Sequence, residues 1–302
     1  MEKERCHDTL LSIAEQSSII GVDIGGTKTF VARYSSATFE LEAEERIATD
    51  AQRGFSAVVT DVLSIIRKLQ TPGTRAVGIG VAGLVRRPEN ILLKAPNIPG
   101  SGNVDLMKAF RDIGLPVFVD NDANCFALAE AVMGTGKGKK IVVGITIGTG
   151  VGGGIVINGT LFRGAHGFAG EIGHMLLMPG KPPEGTENPR GEVEQFLSGT
   201  ALGRRCRAAK HPGEYLQGDV CSFLQPDLFR EVAWLCTSLT HLLDPSIIIF
   251  GGSTGTALGP HLPAIRQALK EWMLPDTPMP EIAIAAIHHA GVLGAALLCT
   301  EN

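Results

Sequence analysis

Carboxylates, amides and glycines are concentrated at a few points of this chain, each directly after an apolar run. The densest is Val117-Phe-Val-Asp-Asn-Asp-Ala-Asn-Cys-Phe-Ala-Leu-Ala-Glu130, where a β-branched run ends in Asp120, Asn121, Asp122 and Asn124. From Cys125 onward helix-favouring residues take over, with Phe126, Ala127, Leu128, Ala131 and Val132 apolar. Carboxylates where a strand gives way to a helix suit two tasks. They can take a proton from a hydroxyl nucleophile, or Asp120 or Asp122 can simply cap the helix. The stretch by itself leaves both open.

Asp23 is the second such point. It sits inside the apolar run Ile19–Ile24, where an unpartnered carboxylate is costly to bury, and Gly25-Gly26-Thr27-Lys28 follows it. Glycines let backbone N–H groups come close to an anion, and Thr and Lys add donors. A second apolar run, Ile141–Ile147, leads into Gly148-Thr149-Gly150 and then Val151 to Gly154. Either turn alone reads equally well as an ordinary hairpin. Neither has the Gly-x-x-x-x-Gly-Lys-Ser/Thr spacing of a P-loop. The repetition of strand, glycine turn with Thr, and strand at 19–34 and 141–157 is more telling. It indicates two related lobes, each with an anion-binding hairpin, able together to hold a polyphosphate from both sides. A further polar cluster, Gly164 to His174, carries Glu171 and His174 among glycines. It is followed by a Pro/Gly/Glu-rich loop at 179–190 and by Glu192 and Glu194.

The elements that must position these residues follow from periodicity. Phe55, Val58, Val59, Val62, Ile65, Ile66 and Leu69 recur at helical spacing over 54–69, and Thr71-Pro72-Gly73 ends the helix. Strands are predicted at 19–24, 30–34, 76–82, 141–147, 155–158, 160–162, 246–250 and 281–286, with an Asn158-Gly159 hairpin turn. Helices are predicted at 104–113, 196–209, 227–243, 261–272 and 291–299. Trp234 and Trp272 fall on apolar helical faces and read as core, and the adjacent His288 and His289 point opposite ways on a strand end.

Composition narrows the classes. The 302 residues are 44% hydrophobic and 19% charged with a net charge of −4, so a packed core is expected. No basic run exceeds two residues, which argues against nucleic acid as a partner. No apolar run suits a membrane span, and the charged residues Met1 to Asp8 do not form a secretion signal. The six cysteines show no paired spacing and read as reduced, buried residues of a cytoplasmic protein.

Taken together the motifs resemble the ROK family (repressors, open reading frames and kinases), the glucokinase-like branch of the actin-like sugar-kinase fold. The resemblance runs from Ile19 to Leu298 and rests on Asp23-Ile-Gly-Gly-Thr-Lys28, Gly83-Leu-Val85, Asn97-Ile-Pro-Gly100, Asp120-Asn-Asp-Ala-Asn124 and Gly148-Thr-Gly-Val-Gly-Gly-Gly154. Gly170-Glu-Ile-Gly-His174, Glu194, Ser198-Gly-Thr-Ala-Leu202, Gly251-Gly252 and Gly294-Ala-Ala-Leu297 continue it.

That resemblance implies an α/β chain of two actin-like (ribonuclease H-like) lobes with central mixed sheets and an interlobe cleft. A smaller lobe over 1–118 would be rejoined by a C-terminal helix at 290–302, and 119–289 would form the larger lobe. It further implies an ATP-dependent hexose kinase acting on the 6-hydroxyl of glucose, with Asp122 as catalytic base. Gly83, Asn97, Asn121, Glu171, His174 and Glu194 would bind the sugar. Asp23, Gly25, Gly26, Thr27, Lys28, Gly148, Thr149, Gly150, Gly251 and Gly252 would bind the nucleotide, with Asp23 holding Mg²⁺ through water. A homodimer is implied as well.

One departure stands out. Many members carry a Cys-rich run after the His that binds a structural zinc, whereas Leu176 to Glu194 contains no cysteine and Glu192 takes the place of the last one. No zinc is expected. The alternative acceptors are N-acetylmannosamine and N-acetylglucosamine, and the alternative class is a non-catalytic sugar-binding regulator. A repressor of this family would need a helix-turn-helix domain before the first glycine turn, and the stretch ahead of Ile19 is too short for one.

Overall fold

The computed structural model describes residues 17–183, 186, 188–210 and 212–301. The polar lead-in with Cys6, and residues 184, 185 and 187 of the predicted loop, lie outside the described residues. The chain divides into two compact units. The first takes the described residues up to Ala129, Arg163–Phe168, and the chain from His289 onward; the second takes Glu130–Phe162 and Ala169–His288.

The first unit is built on a sheet of order β3-β2-β1-β4-β8. Its strands are β1 (Ser18–Ile24), β2 (Lys28–Ser35), β3 (Leu41–Ala48), β4 (Thr74–Val81) and β8 (Val117–Asn121). β5 (Leu84–Arg86), β6 (Ile91–Lys94) and β7 (Val104–Asp105) form a small separate sheet. β1 pairs with β2 antiparallel and with β4 parallel, and β8 pairs with β4 parallel. Because β8 completes this sheet, the first unit extends past Asp122 rather than closing near residue 118. Helix α1 (Phe55–Leu69) buries all seven of its predicted apolar positions against the sheet. The helix predicted at 104–113 is instead β7, one helical turn over Leu106–Ala109 and a 3₁₀ turn at Arg111–Ile113. Val104-Asp105 pairs with β6, and the Asp105 side chain caps the turn through the Lys108 N–H.

The second unit repeats the plan. Its sheet has the order β11-β10-β9-β12-β13, from β9 (Ile141–Ile147), β10 (Val151–Ile157), β11 (Thr160–Leu161), β12 (Ile247–Gly251) and β13 (Glu281–Ile284). β9 pairs with β10 antiparallel and with β12 parallel. Val151 to Gly154, expected in the glycine turn, are already strand: Gly154 lies opposite Gly144 and Gly153 opposite Ile145. The remaining long helices are α2 (Asp122–Val132), α3 (Gly199–Arg205), α4 (Gln225–Leu243), α5 (Gly252–Ala257), α6 (Leu262–Lys270) and α7 (Ala290–Leu297). The helix predicted at 196–209 is broken at Ser198, whose hydroxyl caps α3 by accepting the Ala201 N–H. Trp272 is 43% exposed and meets Trp234 edge to face, so it belongs to the surface rather than the core.

The cysteines need one correction. Cys206 and Cys221 form a disulfide, with Cα atoms 6.0 Å apart. Cys206 closes α3 and Cys221 precedes the turn at Ser222–Leu224, and packing brings them together without any local spacing signal. Cys125, Cys236 and Cys299 are free.

Candidate active site

On the first unit, β1 delivers Asp23 and β8 delivers Asn121 and Asp122 at the C-terminal ends of neighbouring parallel ladders. Asp122 opens α2 and its Oδ1 accepts the Ala123 N–H at 2.9 Å. Burial raises its pKa, with the Ala123 hydrogen bond opposing. Burial, then the charge of Asp122, lifts Asp23 to a pKa of about 7. Gly291 on α7 explains how Asp23 is covered: a Cβ there would lie 2.6 Å from its Oδ2, so only glycine lets the helix come this close. Cys125 beside them is pushed up by burial and by Asp120, Asp23 and Asp122, which leaves it a thiol.

Capping falls to neither aspartate alone. The Asn121 Oδ1 accepts the Ala123 N–H at 2.8 Å and the Asn124 N–H at 3.3 Å, while its Nδ2 donates to the Gly83 carbonyl at 2.9 Å. Asn121 therefore ties the helix start to Gly83. The other predicted residues of this unit gather at the β1–β2 turn. Gly25 N donates to the Lys28 carbonyl at 3.1 Å, and a Cβ on Gly26 would touch Asn97 at 2.6 Å. Thr49, which sequence reasoning missed, stiffens the turn by donating its hydroxyl to the Gly25 carbonyl at 2.7 Å. Thr27 and Lys28 are exposed.

On the second unit the predicted residues gather around the β9–β10 turn. Gly148 N donates to the Gly150 carbonyl at 2.9 Å, and the Gly148 carbonyl accepts the Gly199 N–H at 2.7 Å. Thr200 Oγ1 donates to the Thr149 carbonyl at 2.8 Å. Glu194 Oε2 accepts the Val151 N–H at 2.8 Å, so this carboxylate props the glycine turn itself. Glu171 precedes and His174 closes a 3₁₀ turn at Ile172–His174, seated on β10 where Gly173 meets the Val151 carbonyl. Gly252, at φ 76°, turns the end of β12 into α5 close to the Ile147 carbonyl.

Glu192 lies beside His174. Its Oε1 lies 3.5 Å from His174 Nδ1 and 3.0 Å from Arg190 Nε. Leu177 and Met178 both donate backbone N–H groups to the Gly191 carbonyl, and Gln195 Oε1 accepts those of Gly191 and Glu192. These contacts clasp the loop. Among the described residues no group of three or more His, Cys, Asp or Glu side chains could hold a metal ion.

The model of the ROK family matches residues 19–302. The chain belongs to the ROK family. It is 34% identical to a glucokinase of Streptomyces coelicolor, over 93% of this chain and 97% of that protein. It is 31% identical to an N-acetyl-D-glucosamine kinase of Photobacterium profundum, over 92% of this chain and 98% of that one. Among solved structures it resembles a ROK glucokinase of Streptomyces griseus in complex with glucose and AMPPNP. That likeness has a TM-score of 0.74 and 32% identity, over 93% of this chain and 99% of that one. The two units described here thus belong to the ROK sugar-kinase fold.

Proposed function

We propose that this ROK-type kinase transfers the γ-phosphoryl group of ATP to the 6-hydroxyl of glucose. The observation that carries the reading is the placement of Asp122 at the strand–helix junction, desolvated and with one oxygen fixed by the Ala123 N–H. A carboxylate made more basic by burial is suited to take the hydroxyl proton as the oxygen attacks phosphorus. The new oxygen–phosphorus bond replaces the bond to ADP, and the proton passes through Asp122 to solvent. Asn121, Gly83 and Asn97 on the first unit, and Glu171, His174 and Glu194 on the second, are assigned to the sugar hydroxyls. The turns at Gly25–Lys28 and Gly148–Gly150, with Gly251-Gly252, are assigned to the nucleotide.

Asp23 fits a divalent cation, because its carboxylate carries an unfavourable interaction with that of Asp122 which a cation would relieve. Bound Mg²⁺ would neutralise charge on the β- and γ-phosphates. Asp23 would hold it through water, since Mg²⁺ keeps several of its waters. The proposal places the protein in the cytoplasm as a homodimer. A cytoplasmic setting would keep thiols reduced, so quantifying free thiols with and without reductant tests whether Cys206–Cys221 survives there.

A second reading, an N-acetylhexosamine kinase, is favoured by the N-acetyl-D-glucosamine kinase relative at nearly the same identity. ADP release with Mg-ATP and a panel of hexoses and N-acetylhexosamines separates the two. If no sugar stimulates ADP formation, the kinase reading fails.

A further inference from the structure

We propose that Asp120, gripped by Arg163 and Arg87, is the positioning element for Asn121 and Asp122. The inference rests on the function proposed above. Asp120 is 3% exposed, and its two oxygens divide their partners by direction. Oδ1 accepts the Asn121 N–H and the Asn124 side-chain N–H, both at 2.8 Å, and so faces the start of α2. Oδ2 accepts from Arg163 Nε at 2.6 Å and from an Arg87 Nη at 3.0 Å. A buried carboxylate with four donors cannot turn without leaving a charge unpaired, which is strongly unfavourable.

Each arginine is anchored beyond Asp120. Arg163 also pairs with Glu301, and Arg87 donates to the Val119 carbonyl and, at 2.6 Å, to Asn90 Oδ1. Planar guanidinium groups can serve two acceptors at once, which the point charge of a lysine does less well. The result is a rigid path from two arginines, through Asp120, to the backbone N–H of Asn121. Asn121 in turn fixes the first turn of α2 and reaches Gly83. Asp122 therefore has an immobilised residue directly before it and a hydrogen-bonded helix directly after it.

The position of Arg163 in the chain adds a second reason. Arg163–Phe168 belongs to the first unit although the residues on either side of it belong to the second. This excursion starts with the residue that grips Asp120. It is secured again where Arg87 N donates to the His166 carbonyl at 2.9 Å. Arg163 and Arg87 also line a cavity of about 280 Å³ with Asn90, Met107, Phe118 and Leu298, large enough to admit a small planar cation beside the two arginines.

The test is steady-state kinetics of Arg163→Ala, Arg163→Lys, Asp120→Asn and the Arg163→Ala/Asp120→Asn double variant, using the sugar that works best with the wild type. Misplacing a reacting group by about 1 Å costs on the order of 10²-fold. Arg163→Ala is therefore expected to lose about that much kcat while KM for ATP stays within about twofold. Arg163→Lys is expected to fall between it and the wild type. The double variant should lose no more than the worse single one, because the two residues act on one path. Guanidinium chloride at a non-denaturing concentration should restore part of the kcat of Arg163→Ala, and the same concentration of sodium chloride should not.

Folded Arg163→Ala and Asp120→Asn variants with kcat close to the wild type would overturn the inference. So would losses that match a lower melting temperature and a smaller active fraction, with no guanidinium rescue. If Arg163→Ala does not fold, the near-isosteric Asp120→Asn and the charge-keeping Arg163→Lys decide the matter. An active wild type with unimpaired variants sinks only the positioning role, whereas an inactive wild type sinks the kinase reading.

Discussion

The two sheets share one strand plan and differ in what their strand ends carry. Both place an antiparallel hairpin beside two parallel strands, in the orders β3-β2-β1-β4-β8 and β11-β10-β9-β12-β13. Counting back from the hairpin turns, Ile24 matches Ile147 and Gly21 matches Gly144, but Asp23 matches Thr146. The outer parallel strand of the first sheet runs into Asp120-Asn121-Asp122. That of the second runs into Ala285 and Ala286. The first unit therefore holds desolvated carboxylates, and the second a glycine turn propped by Glu194. Duplicated topology supplies two matching frames, and a few strand-end residues make the two chemically different.

Substitutions at matched positions can break or sharpen this contrast. The largest effect is expected for Asp122→Asn, which should lower kcat by about 10³-fold, in the range for loss of a general base. Sugar binding, measured by calorimetry, should largely persist. Near-normal turnover would remove Asp122 from the base role. Next comes the pair Asp23→Asn and Thr146→Val. The first should cost about 10²-fold in kcat and shift the magnesium dependence to higher concentration, and its match on the second sheet should cost less than about threefold. Comparable losses at both positions would end the asymmetry.

A smaller effect is expected at Gly150. A Cβ there would lie 2.4 Å from Glu194 Oε2, so Gly150→Ala must displace that carboxylate from the Val151 N–H. A rise in KM for ATP of about tenfold should follow, from a loss of about 1.4 kcal/mol. An unchanged KM would show that the propped turn does not serve the nucleotide.

The smallest expected effect concerns stability. Burial and the neighbouring Asp122 charge raise the folded pKa of Asp23 from an ordinary value of 3.8 to about 7, so between those values the folded state holds a proton that the unfolded state has released. That contribution is present below about pH 4 and is lost as the pH rises to about 7. Metal-free wild type should therefore lose about 1 kcal/mol relative to Asp23→Asn between pH 5 and pH 7.5. Thermal melts in a chelating buffer would read this as a shift of about 2–4 °C. Parallel curves for the two proteins would contradict it.

Sequence showed the elements whose burial is one-sided and periodic. Helix α1 was legible because seven apolar positions at helical spacing all enter the core. β3 was not, since Leu41–Ala48 is an edge strand rich in charge and largely exposed, so it lacks the apolar run that marks a strand. Val151–Gly154 was hidden by its glycines. The residue types of the candidate site were legible as well, because a carboxylate in an apolar run stands out. Their partners were not: Arg87 and Arg163 lie 33 and 43 residues from Asp120, and no local pattern links them. The Cys206–Cys221 bond escaped for the same reason. The role of Asn121 as the cap emerged only from hydrogen-bond geometry, since three neighbouring side chains could each have served.

The covering of Asp23 by α7 bears on the order in which the chain is made. Gly21 meets the Val292 carbonyl, Gly78 the Ala295 carbonyl and Gly294 the Cys125 carbonyl, so α7 completes the packing of β1 and β4. These strands leave the ribosome before α7, with the second unit synthesised between them. Domains generally fold as units during synthesis, N-terminal first. Here the first unit needs α7, which follows the second unit in sequence, while the second unit has its full sequence before α7 is made. A chain cut before Ala290 would carry the whole sequence of the second unit and an Asp23 without Gly291 over it.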